Sequence, residues 1–200
     1  MELLEFSPES FRDESLRLAK LVESSGWRPD CVAYLAKGAW QIGEVCADYF
    51  STPVIELSAH RSGEAAKTGA HCFLRVLPRS VRKLLREMEL RKRLSSFDGN
   101  SQKKTMRLTD RFELPVEAAR ILIVDDAADT GSSLIAAKGF LADLWPASEI
   151  KTAVINSFGH ARLSGAVDYS LHEDVLLCTP MSKDSRYYEE ATRSYKAGLQ

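Results

Sequence analysis

Three aspartates, Asp125, Asp126 and Asp129, stand within five positions in the stretch ILIVDDAADTGSSL, residues 121 to 134. Four apolar residues lead into the first pair. A small hydroxylated turn, Thr130, Gly131, Ser132 and Ser133, follows the third acid, and apolar residues then resume. Like charges this close repel one another and resist burial, so a chain that crowds them at the end of a buried strand must bind something there. Paired carboxylates offer acceptors to hydroxyl groups or oxygen ligands to a hard cation. A turn running straight into a helix presents backbone N–H groups outward, and the helix dipole adds to the attraction for an anion. A sugar phosphate satisfies both halves at once.

The elements around that stretch must place it. Before it, SPESFRDESLRLAKLVESSG reads as a helix: Ser7 caps it, Pro8 suits its first turn and Gly26 its end. Phe11, Leu18, Leu21 and Val22 share one face. DCVAYLA is a short buried strand, KGAWQIGEVCADYF a loop and helix, and TPVIELS a second strand. RILIVDD is the third strand, followed by a helix from Ser132 to Leu144. KTAVINSF, VDYSL and VLLC continue as strands, and DSRYYEEATRSYKA closes the chain as a helix. Strands alternating with helices predict an α/β fold, a Rossmann-like, mainly parallel sheet with helices on both faces. In such a sheet ligands sit beyond the carboxyl ends of the strands, where the acid pair stands.

One segment interrupts the rhythm. From His60 to about Leu114 no apolar strand is evident, and a single domain over residues 1–200 with an insertion over about 60–114 is expected. Arg79 to Leu94 reads as a basic helix with Val81, Leu84, Leu85 and Met88 on its apolar side. That side is expected to pack on a neighbouring subunit or on the domain's own edge, and the chain is expected to form a homodimer. Ser95 to Lys104, SSFDGNSQKK, is expected to be mobile and to order over bound ligand, with Lys103 and Lys104 meeting its charge.

Composition narrows the classes. The 200 residues are 44% hydrophobic and 28% charged, as in a globular domain, and the formal charge of −1 offers no basic field for nucleic acid. No apolar run approaches membrane-spanning length, and the N-terminus lacks a signal-peptide pattern. Cys31, Cys46, Cys72 and Cys178 are scattered, without CxxC spacing, which reads as reduced core thiols in a cytoplasmic protein. The four histidines show no zinc-ligand spacing.

The run from Ile121 to Ser133 resembles the signature of the type I phosphoribosyltransferases: apolar run, two acids, two variable residues, then DTG with hydroxyl residues. More loosely, PDCVAYLAKGAWQIGEVCADYF is similar to that family's first strand, pyrophosphate loop and helix. The resemblance implies transfer of phosphoribose from phosphoribosyl pyrophosphate (PRPP) to a nitrogenous base, purine-like, as in nucleotide salvage, with Mg²⁺ as cofactor. It implies that Asp125 and Asp126 take the ribose hydroxyls, directly or through Mg²⁺. Ala128, Asp129, Thr130, Gly131, Ser132 and Ser133 would hold the 5′-phosphate. Ala36, Lys37 and Gly38 would form the pyrophosphate loop, where the family often has a non-proline cis peptide. Asp129 and Lys37 would be catalytic, the one as proton acceptor for the incoming base, the other as a charge on the leaving group. Paired acids also end the first strand of phosphoacceptor receiver domains, but there the pair lies near the N-terminus, whereas here some 120 residues precede it.

The acceptor half departs from the family. Ala166 and Val167 stand where purine-salvage members carry a Lys-Pro pair, and Leu176 and Leu177 where an aromatic residue often stacks on the base. Arg162 is the candidate for the missing charge, and Tyr169, Tyr187 or Tyr188 for the missing stack. Two functions follow: a transferase, or a PRPP-binding sensor without turnover that regulates a partner or RNA.

Overall fold

The computed structural model describes residues 1–60, 78–95, 105–109, 115 and 117–198. In chain order the elements are β1 (Leu3–Glu5), α1 (Pro8–Ser24), β2 (Cys31–Leu35), α2 (Trp40–Phe50), β3 (Val54–His60), α3 (Arg79–Ser95), β4 (Thr105–Leu108) and β5 (Arg120–Ala128). Then follow α4 (Ser132–Leu144), β6 (Glu149–Ser157), α5 (Gly159–Leu163), β7 (Tyr169–Glu173), β8 (Leu176–Cys178) and α6 (Tyr188–Ala197). Six strands form one sheet in the order β4-β3-β2-β5-β6-β7, parallel except for β4, while β1 and β8 pair in parallel as a second, two-stranded sheet.

The first helix starts as its sequence predicts: the Ser7 hydroxyl accepts from the Ser10 N–H at 3.1 Å, the Ser7 N–H donates back to the Ser10 hydroxyl, and Pro8 occupies the first turn. Strand alternation then sorts the core. Leu122 and Val124 of β5 pack with Phe11, Leu18 and Val22 of α1 and Ile42 and Phe50 of α2. Ile121 and Ile123 pack on the other face with Leu134 and Leu141 of α4. Both faces of the parallel sheet are therefore covered, which is why its strands read as continuous apolar runs. Cys31, Cys46 and Cys178 are buried free thiols, and burial pushes Cys31 and Cys46 up to about 12, so neither is a nucleophile at neutral pH. Among the described residues no helix is long and apolar enough to cross a membrane.

Two expectations for the interrupting segment need correction. It contains a strand: Thr105–Leu108 pairs antiparallel with β3, Leu57 opposite Leu108 and His60 opposite Thr105. Four residues with a buried Met106 beside an exposed Arg107 carry too short a pattern to be recognised. Helix α3, moreover, packs on the domain's own edge with its arginines rather than its leucines, which corrects that half of the expectation and leaves the leucine side open to a neighbouring subunit. Arg79 donates to the Leu3 carbonyl at 2.8 Å, Arg82 to the Glu5 carboxylate at 3.2 Å, and Arg86 to Asp184 and the Leu177 carbonyl. Positions 79, 82, 86, 90 and 94 make one stripe, and only its last two members, Leu90 and Leu94, are apolar, joining Leu3, Phe158, Leu176 and Cys178. Val81, Leu84, Leu85 and Met88 face outward at 38, 57, 41 and 59% exposure. The physical reason is the surface beneath: the β1–β8 ribbon and the 179–187 loop present carbonyls and carboxylates, which long guanidinium side chains satisfy and leucines cannot. The expected lid lies outside the described residues from residue 96 to Lys104, as does Cys72.

Candidate active site at the carboxyl ends of β2 and β5

Strand β2 connects onward to β3 on one side of the sheet, while its other neighbour, β5, connects to β6 on the opposite side. The chain thus reverses direction between β2 and β5, and a crevice opens beyond their carboxyl ends, the place where open α/β sheets bind ligands. The two segments singled out by residue type flank this crevice: Ala36, Lys37 and Gly38 follow β2, and Asp125 to Ser133 close β5 and open α4.

The alternation that turns Leu122 and Val124 toward α2 carries Asp126 to the same face. There it meets the 36–38 loop: a Cβ on Gly38 would lie 3.1 Å from the Asp126 Oδ2. Only a residue without a side chain lets the two segments approach this closely without one of them giving way. The Ala36–Lys37 bond is cis, Ala36 donates to the Leu57 carbonyl at 2.8 Å, and Lys37 points its side chain into solvent. Behind the loop, the buried Glu56 carboxylate accepts from the Tyr34 hydroxyl at 2.8 Å and the Tyr195 hydroxyl at 2.5 Å, and Tyr195 also meets the Trp40 ring edge-on. These bonds tie α6 and β3 to the residues on either side of the loop. Sequence reading passed over Glu56 as one acid in a strand; a carboxylate inside PVIELS, between apolar neighbours, was the available signal.

Across the crevice, the Asp125 Oδ1 accepts from the Asp126 N–H at 2.9 Å and the Asp126 Oδ1 from the Ala127 N–H at 2.8 Å. These bonds hold both carboxylates at the strand end. Asp126 keeps part of its surface in solvent, yet the crowded concave wall makes burial the leading cause that raises its pKa. The charge of Asp129 raises it further, while the Ala127 N–H and Arg86 oppose. Ala128 is buried, its carbonyl taken by the Phe158 N–H at 3.0 Å. Gly131 sits at φ +77° as the N-cap of α4, a left-handed conformation that suits glycine, and its carbonyl accepts from Ile135. The Thr130 hydroxyl donates to the Ser132 hydroxyl at 3.1 Å. The N-cap of α4 is a glycine with no side chain of its own to cap the helix; the Ser132 N–H donates to the Thr130 hydroxyl at 3.4 Å, and this turn with its hydroxyls borders the crevice.

Beside the acids lies a cavity of about 270 Å³. Asp126, Ala127 and Asp129 form its floor, Phe158, Val175, Leu176 and Leu177 its walls, and Arg86, Glu89 and Leu90 of α3 its roof, with Ser182 at the side. Burial disfavours charge on Arg86, but its bonds to Asp184 more than offset this and keep it protonated; the same pair holds Asp184 low despite the burial that would raise it.

The structure does not bring the two proposed base-reading residues into this cavity. The Arg162 guanidinium donates to the Ser157 carbonyl at 2.5 Å and to Asp174 at 2.6 Å. The Tyr169 hydroxyl bonds Ser25 at the C-terminal end of α1, which is the opposite end of the sheet, and Lys151 donates to it at 3.4 Å. The cavity's aromatic wall is Phe158 rather than Tyr169, Tyr187 or Tyr188. An aromatic residue directly after a strand, at its carboxyl end, was the signal that could have found it.

Among the described residues no cluster of three or more His, Cys, Asp or Glu could cage a metal ion unaided. Two adjacent carboxylates are hard oxygen donors that fit Mg²⁺ in its usual manner, one or two protein ligands with the remainder from a phosphorylated substrate.

No known family model matches the sequence, and no curated protein matches it. Solved structures do match the fold. Helicobacter pylori xanthine-guanine-hypoxanthine phosphoribosyltransferase aligns over 96% of this chain and 99% of its own, at TM-score 0.60 and 17% identity. A purine phosphoribosyltransferase from Pyrococcus horikoshii Ot3 aligns over 91% and 95%, at TM-score 0.57 and 15% identity. A hypothetical protein from Neisseria gonorrhoeae with bound ppGpp aligns over 98% and 97%, at TM-score 0.52 and 13% identity. The chain therefore has the fold of the type I phosphoribosyltransferases.

Proposed function

We propose that this protein transfers the 5-phosphoribosyl group of PRPP to a nitrogenous, purine-like base with release of pyrophosphate. One observation carries the reading: the acid pair, the glycine-led α4 N-terminus and the 36–38 loop converge at a single crevice, next to a cavity lined by Asp129. Asp125 and Asp126 hold the ribose hydroxyls. The N–H groups and hydroxyls of residues 129 to 133 hold the 5′-phosphate. As the bond from the anomeric carbon to the pyrophosphate oxygen breaks and the bond to the base nitrogen forms, positive charge grows on the ribose ring, and the fixed carboxylates stabilise it. Lys37 supplies a point charge for the leaving pyrophosphate. Asp129 accepts the proton that the base nitrogen gives up, a role worth about 10²–10⁴-fold in rate. Mg²⁺, when bound with the donor, would neutralise pyrophosphate charge through its phosphate oxygens.

The test is pyrophosphate release from PRPP and Mg²⁺ across a nucleobase panel, with Asp125→Asn/Asp126→Asn as control. Release with any base that the double variant abolishes supports transfer. Wild-type activity in the double variant refutes the site. The likeness to a ppGpp-bound protein favours a second reading, a sensor that binds its phosphorylated ligand without turnover. Tight, Mg²⁺-dependent PRPP binding with no release from any base would support that reading instead.

A further inference from the structure

Building on the transferase reading, we infer that Arg162 and Asp174 are positioning residues: they clasp together the two chain segments that carry the cavity walls Phe158 and Val175, and so set how well the cavity grips the acceptor base. Phe158 stands at the junction of β6 and α5, and Val175 in the turn from β7 to β8. The two segments meet because β7 pairs with β6, Ser157 opposite Glu173. The Arg162 Nη1 donates to the Ser157 carbonyl at 2.5 Å and its Nη2 to the Asp174 Oδ2 at 2.6 Å. The Asp174 Oδ1 accepts from the Gly159 N–H at 3.2 Å, and the Asp174 N–H donates to the Ser157 carbonyl at 3.0 Å. The residues immediately before and after Phe158 are thus both held by this pair. Val175 follows Asp174 directly, and its N–H donates to the Oδ1 of the buried Asn156 at 3.2 Å.

Stability alone does not account for this arrangement. Asp174 sits at φ 55°, a left-handed conformation that glycine adopts freely and an L side chain adopts at a cost. The Arg162 and Asp174 side chains are 30 and 52% exposed, so water competes for their bond and the pair adds little to the folding free energy. A turn shaped for stability would carry glycine at 174. Aspartate there keeps both carboxylate oxygens engaged, one on Gly159 and one on Arg162, at the expense of a strained backbone. Strain held beside a binding cavity is the pattern of a site kept in position. A guanidinium suits the other half of the clasp, because its planar fork spans two acceptors in a fixed geometry, which an ammonium group cannot do. Arg162 therefore bears on the base through Phe158 and Val175 rather than by touching it.

Asp174→Gly separates the two roles, because it relaxes the backbone and removes the clasp at once. Its melting temperature should stay close to that of wild type while KM for the base rises about tenfold, less than the hundredfold that a misplacement of about 1 Å can cost, and kcat stays nearly constant. Arg162→Ala should give the same rise, and Arg162→Lys should recover at most part of the loss. KM and kcat come from pyrophosphate release at saturating PRPP and Mg²⁺, with the base that the wild type uses best. Calorimetry of the full chain with adenine and with hypoxanthine, in ribose 5-phosphate and Mg²⁺, reads base binding without turnover. Calorimetry with PRPP should show unchanged donor affinity, since Asp125, Asp126 and the 129–133 turn lie outside the clasp. Base affinity unchanged in Asp174→Gly and Arg162→Ala, equal loss of base and donor affinity, or no base bound by the wild type overturns the inference. Release whose base KM is indifferent to both substitutions overturns it while leaving the transferase reading intact. Base binding weakened in both variants, with no release by the wild type from any base, upholds the clasp and sinks the transferase.

Discussion

Replacing Gly131 with alanine probes the joint on which the proposed phosphate cradle turns. Two costs add. The residue sits at φ +77°, where an L side chain costs about 1–2 kcal/mol. Its new Cβ would also lie 2.4 Å from the Ala166 Cβ, far inside the roughly 3.5–4 Å of a comfortable carbon contact. Forcing one methyl into a packed site typically costs about 1–3 kcal/mol. The sum, about 2–5 kcal/mol, is a large share of the roughly 5–15 kcal/mol that holds a domain folded. Urea unfolding followed by tryptophan fluorescence measures it, and Ala166→Gly separates the two parts. In the Gly131→Ala/Ala166→Gly double variant the obstructing methyl is gone, so a coupling of about 1–3 kcal/mol should appear in the cycle while the backbone cost remains. PRPP binding should weaken in the single variant, because relieving the overlap moves the turn away from the crevice. A single variant within about 0.5 kcal/mol of wild type, or a double variant no better than the single, would refute the reasoning.

Tyr195→Phe removes the Tyr195 hydroxyl from the buried Glu56 carboxylate and should destabilise by about 1–3 kcal/mol in the same unfolding assay, with no change meaning that solvent replaces the bond. Asp126 has a raised pKa, so the folded state holds its proton more tightly than the unfolded chain, and ionisation costs stability as pH rises from the ordinary aspartate range through the raised value. Asp126→Asn should therefore be more stable than wild type at neutral pH, with the gap closing as pH falls below that range; a gap independent of pH in urea titrations counts against it. Ser132→Ala should weaken PRPP binding by only about 1–2 kcal/mol by calorimetry, because backbone N–H groups share the load.

The residues 121 to 133 declared themselves by type and spacing alone. Apolar β-branched residues make a strand buried on both faces, paired acids mark its end, and Gly131 opens a helix with its N–H groups outward. All of this is local chemistry, and so are the Ser7 cap and the alternation of strands and helices that foretold the parallel sheet. The 36–38 loop was legible only beside that motif, since three small or charged residues carry little signal of their own. What the linear order could not show was which distant segments meet. Whether a leucine stripe on an amphipathic helix points inward depends on the surface it lands on, and α3 lands on carbonyls and carboxylates, so Arg79, Arg82 and Arg86 turned in and Leu84, Leu85 and Met88 turned out. Tyr169 and Arg162 were plausible by residue type, yet the register of β7 and the bonds to Asp174 hold them away from the cavity. Phe158 and Glu89 lie 69 positions apart in the chain. Only the docking of α3 over the carboxyl ends of the strands makes them wall and roof of one cavity, because that juxtaposition is set by long-range packing, which no local pattern encodes.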